Sequence, residues 1–487
     1  MKKQVFNPYM PLCEYVPDGE PHVFWDRVYV YGSHDKEGGD FFCMLDYVCY
    51  SAPVNDLTDW KYEGVIYKAK NDPDYVNHHF MYAPDVVRGN DGKYYLYYSL
   101  ADRHECSYLM SVAVCDTPAG EYKFLGYVKH PDGTPLQDYI IFDPGLINDN
   151  GNIYLYYGVW YDFDENPNYT KEQSILKQME MYHKTREEIE STPGGVQGPV
   201  CVALEDDMMT IKHRPVHIFP IIYKGTSFEG HEFFEASSMR KIGDKYYFVY
   251  STYNQHELAY ATSDYPDRDF VFGGVIISNG DIGLNVRLPK DRVRMTGNNH
   301  GSIEKINGEW YIFYHRHTHN NEYSRQACAE KIQLLENGHF PQVEVTSCGL
   351  NGGPLITSGT YPSPICCWLT NVEVTHGRFS HTLPHITNVG EERFITEIIN
   401  NTLVGYKYFD FKGKTKLRVV YRSGKNQPQG TLFVKLGDKE KPVASYEING
   451  ASEWTAVDCS FEANGVYPLY FEYCGNGEID IKEFSFL

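Results

Sequence analysis

Ionisable residues stand just before five aromatic, strand-like segments in the first 345 residues of the chain. Four of these positions hold a carboxylate and the fifth holds a histidine: Glu20, Asp85, Asp143, Glu235 and His300. Carboxylates brought to one place repel each other, so some of their pKa values must move. An acid with a raised pKa that faces a second acid can protonate a glycosidic oxygen while the second acid activates water. This is the chemistry of glycoside hydrolysis.

The segments that follow these residues form a repeat. Each joins a short apolar run to an aromatic run across a polar turn, as in DVVRGNDGKYYLYYS and GLINDNGNIYLYYG, and such turns are typical of tight β-hairpins. The residues after the turns are 27, 93, 152, 245 and 309, at spacings of 66, 59, 93 and 64. About 60 residues hold four short strands, so the repeat predicts an all-β fold with a five-bladed β-propeller over residues 1–345. Because the first strand of each blade lines the central channel, we expect the five ionisable residues at one mouth of that channel.

The spacing of 93 residues indicates an insertion between Trp160 and about Pro215. It contains KEQSILKQMEMYHKTREEIE, in which Ile175, Met179 and Tyr182 recur at helical intervals beside a charged face. A helical excursion on the surface is favoured over a lid or a partner contact.

The C-terminal part of the chain has a different composition. Residues 346–370 are rich in Gly, Pro and Ser and predict a linker or wrapping segment. Residues 371–487 alternate strand patterns without helix signals, which predicts a jelly-roll-like β-sandwich.

The overall composition limits the classes of partner and the compartment. The formal charge of −21 argues against nucleic acid and anionic membranes, whereas 42 tyrosines suit both strands and sugar binding. No apolar run approaches the roughly 18 residues of a membrane span, and the N-terminus lacks the apolar core of a signal peptide. The twelve cysteines contain no CxxC pair, so we expect reduced thiols in a cytoplasmic protein.

Several runs, in order along the chain, resemble glycoside hydrolase family 43. They are MYAPDVV at 81–87, IFDPGLINDNGNIYLYYG at 141–158, FFEASSMRKIGDKYYFVYS at 233–251 and NNHGSIEKINGEWYIFYHR at 298–316. The resemblance implies a five-bladed propeller enzyme that removes arabinofuranose, xylose and related sugars from plant polysaccharides. The C-terminal runs GYKYFDFKG and YPLYFEYCGNGEIDIKEFSF resemble carbohydrate-binding module family 6. They lack the Asn and Trp with which such modules often end, so sugar binding and a purely structural role both stay open.

The resemblance also implies catalytic roles for particular residues. Glu235 takes the place of the general acid, with Glu232 a weaker candidate, and Asp143 takes the place of the acid that raises its pKa and orients it. The general base is an aspartate before a proline in the family, and here that place holds Glu20. The longer side chain leaves Asp18 as the alternative base, with Glu20 favoured.

Other residues are expected around the pocket. His300 matches a histidine that approaches a calcium ion or water cluster in the channel, and Ca²⁺ is the one cofactor this implies. Asp85 is expected near the pocket or in a structural role, and Arg325 is expected to hold an acid or a sugar hydroxyl. His315 opens HRHTHNN, whose alternating histidines could bind zinc but are better explained by sugar contacts or solvation. Trp25 could flank the first sugar subsite, although core packing is the simpler role.

Together these observations predict an exo-acting, inverting hydrolase of α-L-arabinofuranosyl or β-D-xylosyl groups on plant-derived oligosaccharides. Two alternatives remain at this stage. One is a hydrolase of another sugar on the same scaffold, such as a galactan- or galactofuranose-active enzyme. The other is a non-catalytic propeller that binds sugar.

Overall fold

Five small antiparallel sheets follow one another along the first two thirds of the chain. The computed structural model describes residues 4–103, 108–161, 170–182, 184–191, 197–372, 384–437 and 439–487. Within these ranges the sheets are the blades of the predicted propeller, so the all-β, five-bladed fold is confirmed.

The blades contain nineteen of the described strands, numbered here in chain order. Blade 1 contains β1 (Glu20–Phe24), β2 (Arg27–Tyr31), β3 (Tyr47–Pro53) and β4 (Lys61–Tyr67). A two-stranded pair, β5 (Phe80–Met81) and β8 (Leu100–Ala101), flanks blade 2, which contains β6 (Asp85–Arg88), β7 (Tyr94–Tyr98), β9 (Ser111–Cys115) and β10 (Lys123–Tyr127). Blade 3 contains β11 (Gly145–Asp149), β12 (Asn152–Tyr157), β13 (Val200–Leu204) and β14 (Val216–His217). Blade 4 contains β15 (Phe233–Ile242), β16 (Lys245–Thr252), β17 (Glu257–Ser263) and β18 (Val271–Ser278), and blade 5 contains β19 (Ile303–Ile306), β20 (Glu309–His317) and β21 (Arg325–Ile332).

The first strands of the five blades form a closed ring. Asp85 on β6 contacts His22 of blade 1 and accepts a hydrogen bond from the Leu146 backbone of blade 3. Blades 3 and 4 are joined by the Ala236 N–H and Asp143, and blades 4 and 5 by two serine hydroxyl groups. These contacts place the starts of β1, β6, β11, β15 and β19 around one channel mouth.

Blades 5 and 1 close the ring through two glycines. Gly19 and Gly301 form an isolated parallel bridge. A Cβ atom at residue 301 would lie 1.9 Å from the carbonyl oxygen of Phe313, so this close approach requires a glycine.

The N-terminal segment packs along β21, the last strand of blade 5. The side-chain amide of Asn7 donates to the Ala329 carbonyl at 3.0 Å and accepts from the Ala329 N–H at 3.0 Å. The Tyr9 N–H donates to the Ala327 carbonyl at 3.3 Å. The start of the chain therefore covers the edge of a three-stranded blade, which protects backbone groups that would otherwise be unpaired.

The insertion in blade 3 is helical, as predicted. It lies between β12 and β13 and contains α1 (Lys171–Tyr182) and α2 (Arg186–Ser191). Ile175 and Ile189 are buried, whereas most of the other described residues of the two helices are exposed or half-buried. The described helices thus form a small surface element beside the propeller.

The remaining strands form one large sheet folded around a single apolar core, consistent with a β-sandwich. They are β22 (Leu355–Ile356), β23 (Gly359–Pro362), β24 (Trp368–Asn371), β25 (His385–Val389), β26 (Glu392–Ile398), β27 (Thr402–Ser423), β28 (Gln429–Leu436), β29 (Pro442–Ile448), β30 (Thr455–Asn476) and β31 (Ile479–Phe486). Leu417, Val419 and Tyr421 are buried while their neighbours along β27 are less so, which is the period-two pattern of a strand with one core face.

The segment over residues 346–370, expected to be a linker or a wrapping segment, contributes strands to this sheet. Its strands β22 and β24 pair with β27, and β23 pairs with β31. The Gly, Pro and Ser content indicates a loop, yet short edge strands tolerate these residues because one side of the strand needs no partner.

The sandwich is held to the propeller by charged contacts. Arg393 of β26 bonds Glu37 of blade 1 through two hydrogen bonds of 2.8 and 2.6 Å. Lys407 of β27 reaches Glu344 at 2.8 Å, and the buried Arg316 of blade 5 donates to the carbonyl of Cys366 at 2.9 Å.

The eleven cysteines of the described ranges are all free thiols, and no helix in those ranges is long and apolar enough to cross a membrane.

Candidate active site

The site lies where the first strands of the blades begin, and its backbone is unusual there. Asp18, Asp143 and Ala236 have φ values of 59°, 47° and 70°, in the left-handed region that non-glycine residues seldom adopt. The register of β15 shifts on both sides of Glu235, which forms a bulge. Bulges and strained residues of this kind collect at functional sites because they redirect side chains.

Asp18 is buried within a cationic and histidine-rich environment. Its Oδ1 atom lies 2.9 Å from Nη1 of Arg325, 3.2 Å from Nδ1 of His315 and 3.9 Å from Nδ1 of His300. Burial raises the pKa of the Asp18 carboxyl, but Arg325 and the two histidines outweigh it and hold the pKa far below its usual range. Asp18 is therefore ionised at neutral and at moderately acidic pH.

Arg325 is held in place from the opposite side by Asp35. Its Nε and Nη2 atoms donate to the two oxygens of Asp35 at 2.8 and 3.0 Å, while Nη1 is left for Asp18. The guanidinium carbon also lies 4.9 Å from the centre of the Phe42 ring. This fork fixes the position of the positive charge beside Asp18.

Asp143 and Glu235 form the acidic side of the site. Oδ2 of Asp143 accepts the backbone N–H of Ala236 at 3.0 Å, which ties the aspartate to the residue after Glu235. Burial, then the Glu235 and Asp18 carboxylates, raise the pKa of Asp143 well above its usual range. Asp143 is buried whereas Glu235 is only half-buried, so Glu235 is the acid of this pair that faces the open mouth.

His300 lies between the two aspartates. Its Nδ1 atom is 3.4 Å from Oδ2 of Asp143 and 3.9 Å from Oδ1 of Asp18. Oδ2 of Asp143 and Oδ1 of Asp18 are thus no more than about 7.3 Å apart. Burial lowers the pKa of His300 to about 4, so the imidazole is neutral at pH 7.

The three alternating histidines at the end of β20 and just beyond it lie in different environments. His315 places Nε2 3.0 Å from the carbonyl oxygen of Asn298 and turns Nδ1 toward Asp18. His317 contacts the side chain of Asn298, whereas His319 contacts Asn388 of the sandwich at 2.9 Å. In the described part of the chain these histidines do not form a metal-binding group.

Glu20 and Asp85 lie in the channel with His22, apart from the groups around Asp18. Oε2 of Glu20 is 3.2 Å from both the Ser238 hydroxyl and Nη2 of Arg240. Burial, then Asp85, raise the pKa of Glu20 to about 7 against the opposing effect of Arg240. Asp85 is fully buried and bonds His22 and two backbone N–H groups, and these contacts fit the structural role that the sequence left open.

Trp25 lies at the opposite end of β1 from Glu20, in the turn before β2. It is 65% exposed, and its ring faces Tyr94 and the guanidinium of Arg88.

Sequence reasoning did not include Asp35, His22 or Arg240 among the site residues. Only His22 had a readable signal, because it shares a strand face with Glu20 two residues earlier.

The geometry and the sequence both match a known family. Residues 26–340 match the glycosyl hydrolases family 43. The chain belongs to family 43. It is therefore a glycoside hydrolase.

Relatives of this family 43 enzyme extend over both parts of the chain. A xylosidase/arabinosidase from Thermoclostridium stercorarium is 42% identical over 100% of this chain and 99% of the relative. A second relative is the solved structure of a family 43 β-xylosidase/α-arabinofuranosidase from a compost microbial metagenome, in complex with xylotriose and in a calcium-free form. It is 27% identical to this chain with a TM-score of 0.50. The match covers 68% of this chain and 94% of the other. An arabinoxylan arabinofuranohydrolase structure from Bacillus subtilis, at 19% identity and a TM-score of 0.51, covers 99% of this chain and 97% of its own, which shows a shared two-part fold.

The surroundings of His300 supply few ligands for the calcium ion expected there. The nearest carboxylate oxygens are Oδ2 of Asp143, which accepts the Ala236 N–H, and Oδ1 of Asp18, which is paired with Arg325. Calcium takes six to eight oxygen ligands. The described side chains of this family 43 enzyme do not form a calcium site by themselves.

Proposed function

We propose that this family 43 enzyme is an exo-acting, inverting hydrolase of β-D-xylosyl and α-L-arabinofuranosyl groups at the ends of plant-derived oligosaccharides. The observation that carries the proposal is the 42% identity, over essentially the full length of both chains, to a xylosidase/arabinosidase. The carboxylates that such a reaction needs are present in the channel mouth of this chain.

Glu235 is the proposed general acid. Its half-buried side chain faces the mouth, where a glycosidic oxygen can approach it. The Asp143 carboxyl lies beside it and interacts with it electrostatically, which opposes the loss of a proton from the pair. In the reaction Glu235 gives its proton to the leaving oxygen as the bond from that oxygen to the anomeric carbon breaks.

Asp18, rather than the Glu20 favoured from the sequence, is the proposed general base. A base must be ionised and must share a cavity with the acid. Asp18 meets both conditions through Arg325 and through His300, which links it to Asp143. The contacts of its carboxylate to described residues are made by Oδ1, so Oδ2 is the oxygen that can take a proton from the attacking water.

Arg325 and His315 are proposed to position this base. The guanidinium joins Asp18 to Asp35, and the imidazole fills the space on the other side of Oδ1. Both side chains are buried, so they act on the base first and reach a sugar hydroxyl only deep in the pocket.

The acid is tested by comparing Glu235→Gln with Glu232→Gln, a control three residues away whose carboxylate bonds the Gly230 N–H. We expect Glu235→Gln to lose about 10³-fold in kcat on xylobiose or a simple alkyl pentoside, with binding retained. The loss shrinks on a dinitrophenyl pentoside, since that leaving group needs little protonation. Near-normal turnover of xylobiose by Glu235→Gln would contradict the assignment.

The sugar and the mode of attack are tested by products. A panel of aryl pentosides and hexosides, with nuclear magnetic resonance of the released sugar, reports specificity and anomeric configuration. Release of single pentoses of inverted configuration is the expected result. Release of galactose in preference to pentose, or sugar binding without any release, would support the two alternative functions instead.

Three further expectations from the sequence remain part of the proposal. They are a cytoplasmic location, a C-terminal sandwich that either binds sugar or braces the propeller, and a structural calcium ion in the channel that His300 approaches. No step of the proposed mechanism uses a metal ion.

A further inference from the structure

A second cluster of ligand-type side chains lies in the channel below the carboxylates of the site. The Glu20 carboxylate, the His22 imidazole and the Asp85 carboxylate each offer one atom, and these atoms lie within 4.8 Å of one another. Among the described residues this is the one group of three or more His, Cys, Asp or Glu side chains with such geometry.

One oxygen of this cluster is without a partner. Oε1 of Glu20 is buried and makes no hydrogen bond to any described residue, although Glu20 as a whole is only 1% exposed. Its other oxygen is occupied by Ser238 and Arg240. A buried carboxylate oxygen without a partner is costly, so its presence calls for a ligand.

The rest of the cluster is rigid. Oδ2 of Asp85 accepts the Leu146 N–H at 2.6 Å, and Oδ1 accepts the Val86 N–H at 2.6 Å and contacts Nε2 of His22 at 2.6 Å. Backbone N–H groups of two inner strands therefore hold the Asp85 carboxylate, and Asp85 in turn orients the His22 imidazole. A cation bound to both side chains would replace the proton that Nε2 of His22 shares with Oδ1 of Asp85.

A separate cavity leads to the cluster. It has a volume of about 320 Å³ and lies toward the ends of the inner strands, at the far side of the propeller from Asp18. Its lining includes His22, Arg240, Glu304 and, at its exposed edge, Arg88. A small hydrated cation can thus reach His22 without passing the sugar site.

We propose that Glu20, His22 and Asp85 bind a divalent transition-metal cation, with Zn²⁺ as the best fit. One imidazole nitrogen and two carboxylate oxygens are a donor set typical of Zn²⁺, whereas Ca²⁺ prefers oxygen ligands alone. The cation would give Oε1 of Glu20 a partner and would link blade 1 to blade 2. This site is distinct from the calcium expected at His300 and does not depend on the proposed substrate.

The test is Zn²⁺ binding by the full-length protein. The chain is stripped with EDTA, dialysed and titrated with ZnCl₂ by calorimetry, and metal content is measured by mass spectrometry. We expect one Zn²⁺ per chain and a higher unfolding temperature with Zn²⁺ than without it. Crystals grown with ZnCl₂ should show an anomalous peak between the three side chains.

Variants distinguish this site from adventitious binding. His22→Gln, at a partly exposed position, and Asp85→Asn should each weaken the Zn²⁺ affinity by at least about tenfold. Glu304→Gln is the matched control in the same cavity and should change the affinity by less than about threefold. His317→Gln should likewise leave it unchanged, since His317 lies in the alternating histidine run.

Several results would overturn the proposal. They are the absence of Zn²⁺ binding at millimolar concentration, full affinity in folded His22→Gln, and loss of binding in His317→Gln alone. Because Asp85→Asn could fail to fold, circular dichroism of each variant is recorded, and His22→Gln carries the decision.

Discussion

Asp18 and Glu20 are two residues apart in sequence, yet their carboxylates occupy opposite electrostatic environments. Asp18 precedes β1 and is paired with Arg325, which lowers the pKa of its carboxyl. Glu20 begins β1, and burial and the Asp85 carboxylate raise its pKa. At neutral pH the first is ionised, and the pKa of the second is about 7.

The difference shows that position in a repeat does not determine chemistry. Glu20 and Asp85 both stand at the start of the first strand of a blade. Both side chains contact another blade inside the channel. Asp18 lies outside the strand in a left-handed conformation, which turns its carboxylate toward His300 and Asp143. The proposed base is therefore the residue outside the regular repeat.

The largest expected effect separates the two acids directly. Asp18→Asn should lower kcat on a dinitrophenyl pentoside by about 10³-fold, because water then lacks its base. Glu20→Gln should lower it by less than about tenfold, since Glu20 contacts no reacting group in this account. Steady-state kinetics with both folded variants makes the comparison, and a larger loss in Glu20→Gln would reverse the assignment.

The next effect concerns the charge that keeps Asp18 ionised. Arg325→Lys should lower kcat/KM by about 10²-fold, because a single ammonium cannot bridge Asp18 and Asp35 as the guanidinium does. Its activity should also fall at a higher pH on the acidic side, because the pKa of Asp18 is less strongly lowered. Arg88→Lys, at the other end of the channel, is the control, and an unchanged acidic limb in Arg325→Lys would contradict this role.

The pH dependence of the wild-type enzyme gives a smaller but sharp contrast. If the base is Asp18, kcat/KM on a substrate with a good leaving group should change by less than about threefold between pH 7 and pH 5, because Asp18 stays ionised. If the base were Glu20, whose pKa is about 7, the same change in pH would lower kcat/KM about 50-fold, because the ionised fraction falls from about one half to about one hundredth. A pH profile over this range separates the two cases.

The smallest expected effect is on stability. The pKa of Glu20 is raised in the folded state, so its contribution is present below its ordinary pKa of about 4.5 and is lost as the pH rises through about 7. The pKa of Asp18 is lowered, so its contribution is present above its ordinary pKa and is lost as the pH falls. In buffer with EDTA, thermal unfolding of Glu20→Gln should show a smaller decline from pH 5 to pH 8 than the wild type, by up to about 3 kcal/mol. Equal declines would contradict the burial of a titrating Glu20.

The fold was largely predictable because hairpin turns and period-two patterns are local signals. The residues predicted to follow the turns begin β2, β12, β16 and β20, and residue 93 lies one position before β7. The helical insertion and the strand-rich C-terminal part were readable for the same reason. The pairing of β22 and β24 with β27, and of Asn7 with β21, was not readable, because the partners are far apart in sequence.

The site was predictable in part. The strand-start rule named Asp143 and Glu235 as candidates, and the structure brings them together, because Asp143 contacts the residue that follows Glu235. The rule could not rank Asp18 above Glu20, because the ranking depends on a left-handed residue and on Arg325, about 300 positions away. Asp35 was not predicted for a similar reason. Its role depends on its contact with the guanidinium of Arg325, which is far away in the sequence.

Chemical rescue by azide tests the central assignment most directly. In Asp18→Ala the missing carboxylate leaves room for azide, which attacks the anomeric carbon without a base while Glu235 protonates the departing oxygen. We predict that azide restores at least about tenfold of the lost rate in Asp18→Ala, gives a glycosyl azide of inverted configuration, and has no such effect on Glu20→Ala. Rescue of Glu20→Ala, with no rescue of Asp18→Ala, would contradict the account.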